Sequence, residues 1–90
     1  MTAIWLPGEP PPRVAFAVGR SVGNAVTRNR VTRRLRAAVT TLEQASPGPE
    51  PSEPLDGGAW LFRVGRDAAD RPYDRLRSDL HQAVRAVRLR

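Results

Sequence analysis

Val22 to Leu42 reads VGNAVTRNRVTRRLRAAVTTL. Five arginines stand between Arg28 and Arg36, and no acidic residue occurs from Arg13 to Leu42. On a helix advancing about 100° per residue, Val31, Leu35, Ala38 and Leu42 fall in one narrow stripe. The stretch therefore reads as an amphipathic helix with a single apolar face. Asn29, Arg33 and Arg36 are expected to project from the opposite side, Arg30 and Arg34 along one border of the stripe, and Arg28 along the other. Guanidinium groups without interleaved acids leave that side electrically uncompensated, and the natural complement of such a surface is a polyanion.

Immediately upstream, Gly23-Asn24 reads as the turn that feeds the helix, with Asn24 as N-cap for a backbone N–H of the first turn. Arg13 to Gly19 (RVAFAVG) alternates as a strand does: Val14, Phe16 and Val18 face one way, Ala15 and Ala17 the other. The bulky face is expected to pack on the arginine helix. The alanine face would let a large partner approach the backbone closely. Thr2 to Leu6 (TAIWL) reads as another short strand. The two strands are expected to pair antiparallel across Pro7 to Pro12, a loop whose four prolines cannot donate to a ladder.

Downstream, the helix is expected to reach about Gln44. Residues 46–58 (SPGPEPSEPLDGG) hold four prolines and three glycines in thirteen positions and read as a loop. Ala59 to Val64 (AWLFRV) reads as a strand with Trp60, Phe62 and Val64 on one face. Gly65 to Arg71 turns the chain. A last helix is predicted from about Pro72 to Leu89, with Asp70 as a cap and Tyr73, Leu76, Leu80, Ala83, Val84 and Val87 as its apolar stripe. Its arginines, partly balanced by Asp74 and Asp79, read as a solvated face. The order strand, strand, helix, strand, helix predicts an α+β sandwich, a small sheet with helices packed on it.

Ninety residues form one small domain, expected over 1–90, which buries only about 60–65% of its unfolded surface. There is no cysteine, hence no disulfide and no thiolate metal site. No run approaches the ~18 apolar residues of a membrane span, and the N-terminus lacks the basic and apolar regions of a signal peptide. A soluble cytoplasmic protein is expected. The net charge is +6, and all fifteen basic residues are arginine. Codon usage rich in G and C can account for the absence of lysine. It does not account for the segregation of charge, since eight of the nine acids lie from Glu43 onward.

No catalytic constellation is legible. His81 is the only histidine and is expected at the surface of the last helix, between Arg77 and Arg85. No second histidine or cysteine exists to build a metal site with it. Asp67, Asp70, Asp74 and Asp79 are spread over a turn and a helix, and Ser21 has no adjacent base. By its own chemistry the chain is expected to cleave nothing. Arginine, which forks onto phosphate and stacks on bases, points to RNA. A DNA major-groove helix is the sharper competitor, but a strand rather than a helix precedes the basic helix, so no helix-turn-helix pair is available and no DNA partner is expected.

Val22-Gly23-Asn24-Ala25-Val26-Thr27-Arg28-Asn29-Arg30-Val31, followed by Arg33-Arg34-Leu35-Arg36, resembles the signature of the protein subunit of bacterial ribonuclease P. In that family an Arg-Asn-Arg triplet opens a basic helix just after a strand and a Gly-Asn-Ala turn. The resemblance extends from Arg13 to the C-terminus. It implies the ribonuclease P protein-like sandwich, akin to the second domain of a small-subunit ribosomal protein, with a left-handed crossover at the central helix. It also implies a subunit of a ribonucleoprotein endoribonuclease whose catalyst is an RNA using Mg2+, the protein holding no cofactor itself. Its partners would be that catalytic RNA and precursor tRNA, from which one phosphodiester hydrolysis removes the 5′ leader. On this resemblance Arg28, Asn29 and Arg30 dock on the catalytic RNA, and Asn24, Arg33, Arg34 and Arg36 extend the contact. Ala15, Ala17 and Gly19 floor a cleft for the single-stranded leader, with Arg20 at its rim.

The chain departs from the resembled pattern at Ala15, where glycine is usual, at Ser21, where a basic residue is usual, and in the length of its proline-rich loop. Family members begin with a basic, aromatic-bearing helix ahead of the first strand, whereas Met1 stands almost at the strand. The expectation is a start lying further upstream, in preference to a reduced form. The alternative function is a general structured-RNA-binding or ribosome-associated module with no part in cleavage.

Overall fold

In the computed structural model, residues 1–43 and 55–89 are described, with residues 42 and 43 as backbone only. The elements in chain order are β1 (Thr2–Pro7), β2 (Arg13–Val18), α1 (Ala25–Glu43), β3 (Gly58–Val64) and α2 (Tyr73–Arg88). Single turns of 3-10 helix at Arg20–Val22 and Arg66–Asp70 lead from β2 to α1 and from β3 to α2. This is the expected α+β sandwich.

The strand order is β1-β3-β2, which corrects the expected β1–β2 hairpin. β3 lies between them, antiparallel to β1 and parallel to β2. The physical reason lies in β3 itself. Trp60, Phe62 and Val64 are 2%, 0% and 9% exposed, so its backbone is deep enough to require a partner on both edges. The linker from Gly8 to Pro12 spans the two inter-strand spacings, about 9–10 Å, by arching over the start of β3. Gly57 and Gly58 make room for it. A Cβ on Gly57 would stand 2.6 Å from the Pro10 nitrogen, and one on Gly58, whose φ is +121°, would overlap the Leu6 carbonyl oxygen. The Gly-Gly pair read as loop filler is a crossing point.

One face of the sheet carries both helices. Its registered rows are Ala3–Phe62–Phe16 and Trp5–Trp60–Val14. Trp5 stacks on Trp60 at 5.7 Å, Trp60 on Phe62 at 6.0 Å, and Phe62 on Phe16 at 5.6 Å between ring centroids. Against this layer α1 packs Val31, Leu35, Ala38 and Val39, and α2 packs Leu76, Leu80, Ala83 and Val84. Val39 widens the predicted stripe; Leu42 falls outside the described side chains. Each fully buried valine or leucine among them contributes roughly 1.5–3 kcal/mol relative to exposure.

Two boundaries differ from expectation. Asp70 belongs to the 3-10 turn and caps nothing; α2 starts at Tyr73 behind Pro72, without a side-chain cap. Pro72 fits there because it fixes an extended lead-in with φ −61° and ψ 156°. His81 is half-buried with Nε2 shielded from solvent, so it is less exposed than its position on the helix predicts. Of the proline-rich loop, residues 46–54 lie outside the described residues; Leu55 is buried at 6% and belongs to the core.

Candidate nucleic-acid interface

The start of α1 is built by its first residues. Asn24 is the cap that its sequence position predicts: its Oδ1 accepts the Thr27 N–H at 2.9 Å, and its carbonyl accepts the Arg28 N–H at 2.9 Å. Asn24 is exposed, but its side-chain oxygen is committed to the helix. Gly23 turns the chain at φ +150°, and a Cβ there would stand 2.9 Å from the Thr27 methyl. The turn from Gly19 to Gly23 thus delivers the chain from sheet to helix in a geometry that larger residues would resist.

Along α1, Asn29, Arg30, Arg33 and Arg36 are exposed, while Arg28 and Arg34 are half-buried along the borders. Arg20 is exposed in the turn before the helix. Arg36 does not project straight away from the core as the wheel suggests. Its guanidinium carbon lies 5.7 Å from the Phe16 ring centroid, which ties it to β2. The Nε of Arg28 is shielded from solvent and has no hydrogen-bond partner.

The electrostatics of the two helices differ. Among the described residues the ion pairs are Arg71 with Asp67 (2.9 Å), Arg71 with Asp79 (3.3 Å) and Arg88 with Asp56 (3.7 Å). None involves an arginine of α1. Arg71 donates to Asp67, which holds that carboxyl below its ordinary value, while Asp67 and Asp79 together raise Arg71. Among the described residues the paired acids thus sit with Arg71 and Arg88, and no ion pair falls on an arginine of α1.

The other sheet face carries no helix among the described residues. Ala15 and Ala17 are exposed on it, and Gly19, just past β2, has open space where a Cβ would be. The structure thus brings the predicted floor residues together on one surface. It adds residues that sequence reasoning left out. The rows on this face are Thr2–Arg63–Ala17, Ile4–Leu61–Ala15 and Leu6–Ala59–Arg13. Ile4 and Leu6 are 40% and 65% exposed. The surface is an aliphatic floor with a cation on the central strand and another at the β2 edge. Strand alternation carried the signal for Leu61 and Arg63, since Trp60 and Phe62 face the core. The pairing of Arg13 with Ala59 had no local signal.

No group of three His, Cys, Asp or Glu side chains among the described residues converges to hold a metal ion. No helix among them is long and apolar enough to cross a membrane.

The Ribonuclease P family model matches residues 1–88. The chain is 41% identical over 81 residues to the ribonuclease P protein component of Gluconacetobacter diazotrophicus, covering 89% of this chain and 63% of that protein. It is 40% identical over 80 residues to that of Thermobifida fusca, covering 89% and 49%. It is 56% identical over 41 residues to that of Micrococcus luteus, covering 46% and 31%. The chain thus spans about half the length of the curated relatives it matches. No solved structure gives a significant match.

Proposed function

Because the chain belongs to the ribonuclease P protein family, we propose that it acts as the protein subunit of bacterial ribonuclease P, in the cytoplasm. It binds the catalytic RNA through α1 and the 5′ leader of precursor tRNA through the open sheet face, and so assists removal of the leader. The observation that carries this reading is the arginine face of α1, on which no ion pair falls among the described residues, set on the core by Val31, Leu35 and Ala38.

Arg28, Arg30, Arg33 and Arg34 offer forked donors over about 9 Å of helix, a spacing that follows a folded phosphate backbone. Such contacts fix position and orientation and carry little sequence information. Asn24, Asn29, Arg20 and Arg36 flank them. The leader lies over Ala15, Ala17 and Gly19, and the Ile4–Leu61 row extends that floor across the sheet. Arg63 and Arg13 face its phosphates. The three registered rows hold no aromatic ring, so bases rest on aliphatic groups, and leader recognition is tolerant of sequence. In this reading the hydrolysis belongs to the RNA subunit and its Mg2+ ions. The chain supplies neither nucleophile nor metal ligands; it holds substrate and catalyst in register.

The test is cleavage of precursor tRNA by the catalytic RNA at low Mg2+, with and without the protein. A gain in cleavage on adding the protein is expected, with no cleavage by the protein alone. Equal binding to many structured RNAs and no gain would replace this reading with a general RNA-binding module.

A further inference from the structure

Val26 is 76% exposed, in the first turn of α1. It stands in the middle of the polar face: Asn29, Arg30 and Arg33, all exposed, lie three, four and seven residues on, on the same side of the helix. Among the described residues no core contact rewards a β-branched residue there. Its side chain joins neither core cluster, and valine is a poorer helix former than alanine. The next exposed apolar position on that side, Ala37, is small. No aromatic residue occurs in α1 to stack on a base.

We propose that Val26 is an apolar contact to RNA, ringed by the Asn29, Arg30 and Arg33 donors. This rests on the reading of α1 as the catalytic-RNA-binding helix. Its isopropyl group meets a ribose or base edge of the kind that the wide, shallow minor groove of RNA presents. The surrounding guanidinium groups reach the phosphates on either side. An apolar centre shielded by a polar rim is where binding energy concentrates in an interface. The contact carries no charge, so it adds affinity that salt does not screen and confines the arginine face to one depth on the RNA.

The experiment measures the Kd for the cognate ribonuclease P RNA across a salt series, for wild type, Val26→Ala, Val26→Thr and Arg30→Ala. The expected result is at least ~5-fold weaker binding for both Val26 variants at every salt concentration, with the salt slope unchanged. Arg30→Ala should instead weaken binding and reduce the slope by about 1. Circular dichroism should give Val26→Ala the wild-type melting temperature or a slightly higher one, which excludes unfolding as the cause. If Val26→Ala and Val26→Thr bind within ~2-fold of wild type while Arg30→Ala weakens binding, the Val26 contact is wrong and the helix assignment stands. If none of the three variants changes binding, both fail.

Discussion

The guanidinium of Arg36 lies over the ring of Phe16, with 5.7 Å from its central carbon to the ring centroid. Phe16 stacks in turn on Phe62, the centre of the buried aromatic row. One arginine of the basic helix is thus fastened to the strand whose other face presents Ala15 and Ala17. An exposed cation–π contact contributes about 0.5–1 kcal/mol. Arg36→Ala is expected to lower stability by roughly that amount. Arg33→Ala should stay within ~0.5 kcal/mol of wild type. Urea unfolding followed by the fluorescence of Trp5 and Trp60 separates them.

Arg28 and Arg30 flank Asn29 but differ in burial. Each alanine variant should lower the salt slope for catalytic-RNA binding by about 1. Arg30 is exposed and its loss should leave folding unchanged. Arg28 is half-buried with a shielded Nε, so its loss removes packing as well as charge. A thermal melt beside the salt series would show the split; equal melting of both variants would contradict it.

Leu35 is 0% exposed in the cluster that joins α1 to Val64 and Leu76. Leu35→Ala should destabilise the fold by ~2–5 kcal/mol. In a domain this small that is a large share of the total, so the variant should melt far below wild type or fail to fold. Wild-type-like melting would mean that the apolar face of α1 is misassigned.

Gly19 and Gly58 form a contrasting pair. A Cβ on Gly19 meets nothing within 4 Å, so Gly19→Ala should fold like wild type and report, through leader affinity alone, whether RNA approaches that backbone. Gly58→Ala places its Cβ on the Leu6 carbonyl at a backbone angle that side chains avoid. A loss of at least ~1–3 kcal/mol is expected. Comparable stability of the two variants would count against the β1–β3 crossing.

Asp67 is held below its ordinary value of 3.8 chiefly by the hydrogen bond from Arg71. A carboxyl depressed in the folded state stabilises the protein above its unfolded value, and that contribution is lost as pH falls through the depressed value. Asp67→Asn should therefore be slightly less stable than wild type near neutral pH and match it once the pH has fallen below the depressed value. The group is exposed and the effect small, so paired urea midpoints at the two pH values are the suitable measurement. A difference that persists at the acid end would assign the effect to something other than this ionisation.

Much of the arrangement was legible locally. The faces of α1 follow from a 3.6-residue period and from charge, both properties of neighbours along the chain. The Asn24 cap and the outward alanines of β2 follow from short-range geometry in the same way. Alternation within β3 likewise places Leu61 and Arg63 on the face opposite Trp60 and Phe62.

The sequence by itself determined the element order, the uncompensated arginine helix and the apolar stripes, because these rest on contacts between residues a few positions apart. Only the tertiary structure decided that β3 enters between β1 and β2, that Arg36 folds back onto Phe16, and that Ile4, Leu61 and Ala15 form one row. Each of those joins residues separated by twenty positions or more in sequence. Their partners are selected when buried backbone groups must find hydrogen bonds and apolar faces must find cover, a condition satisfied by the whole chain together and not by any segment of it.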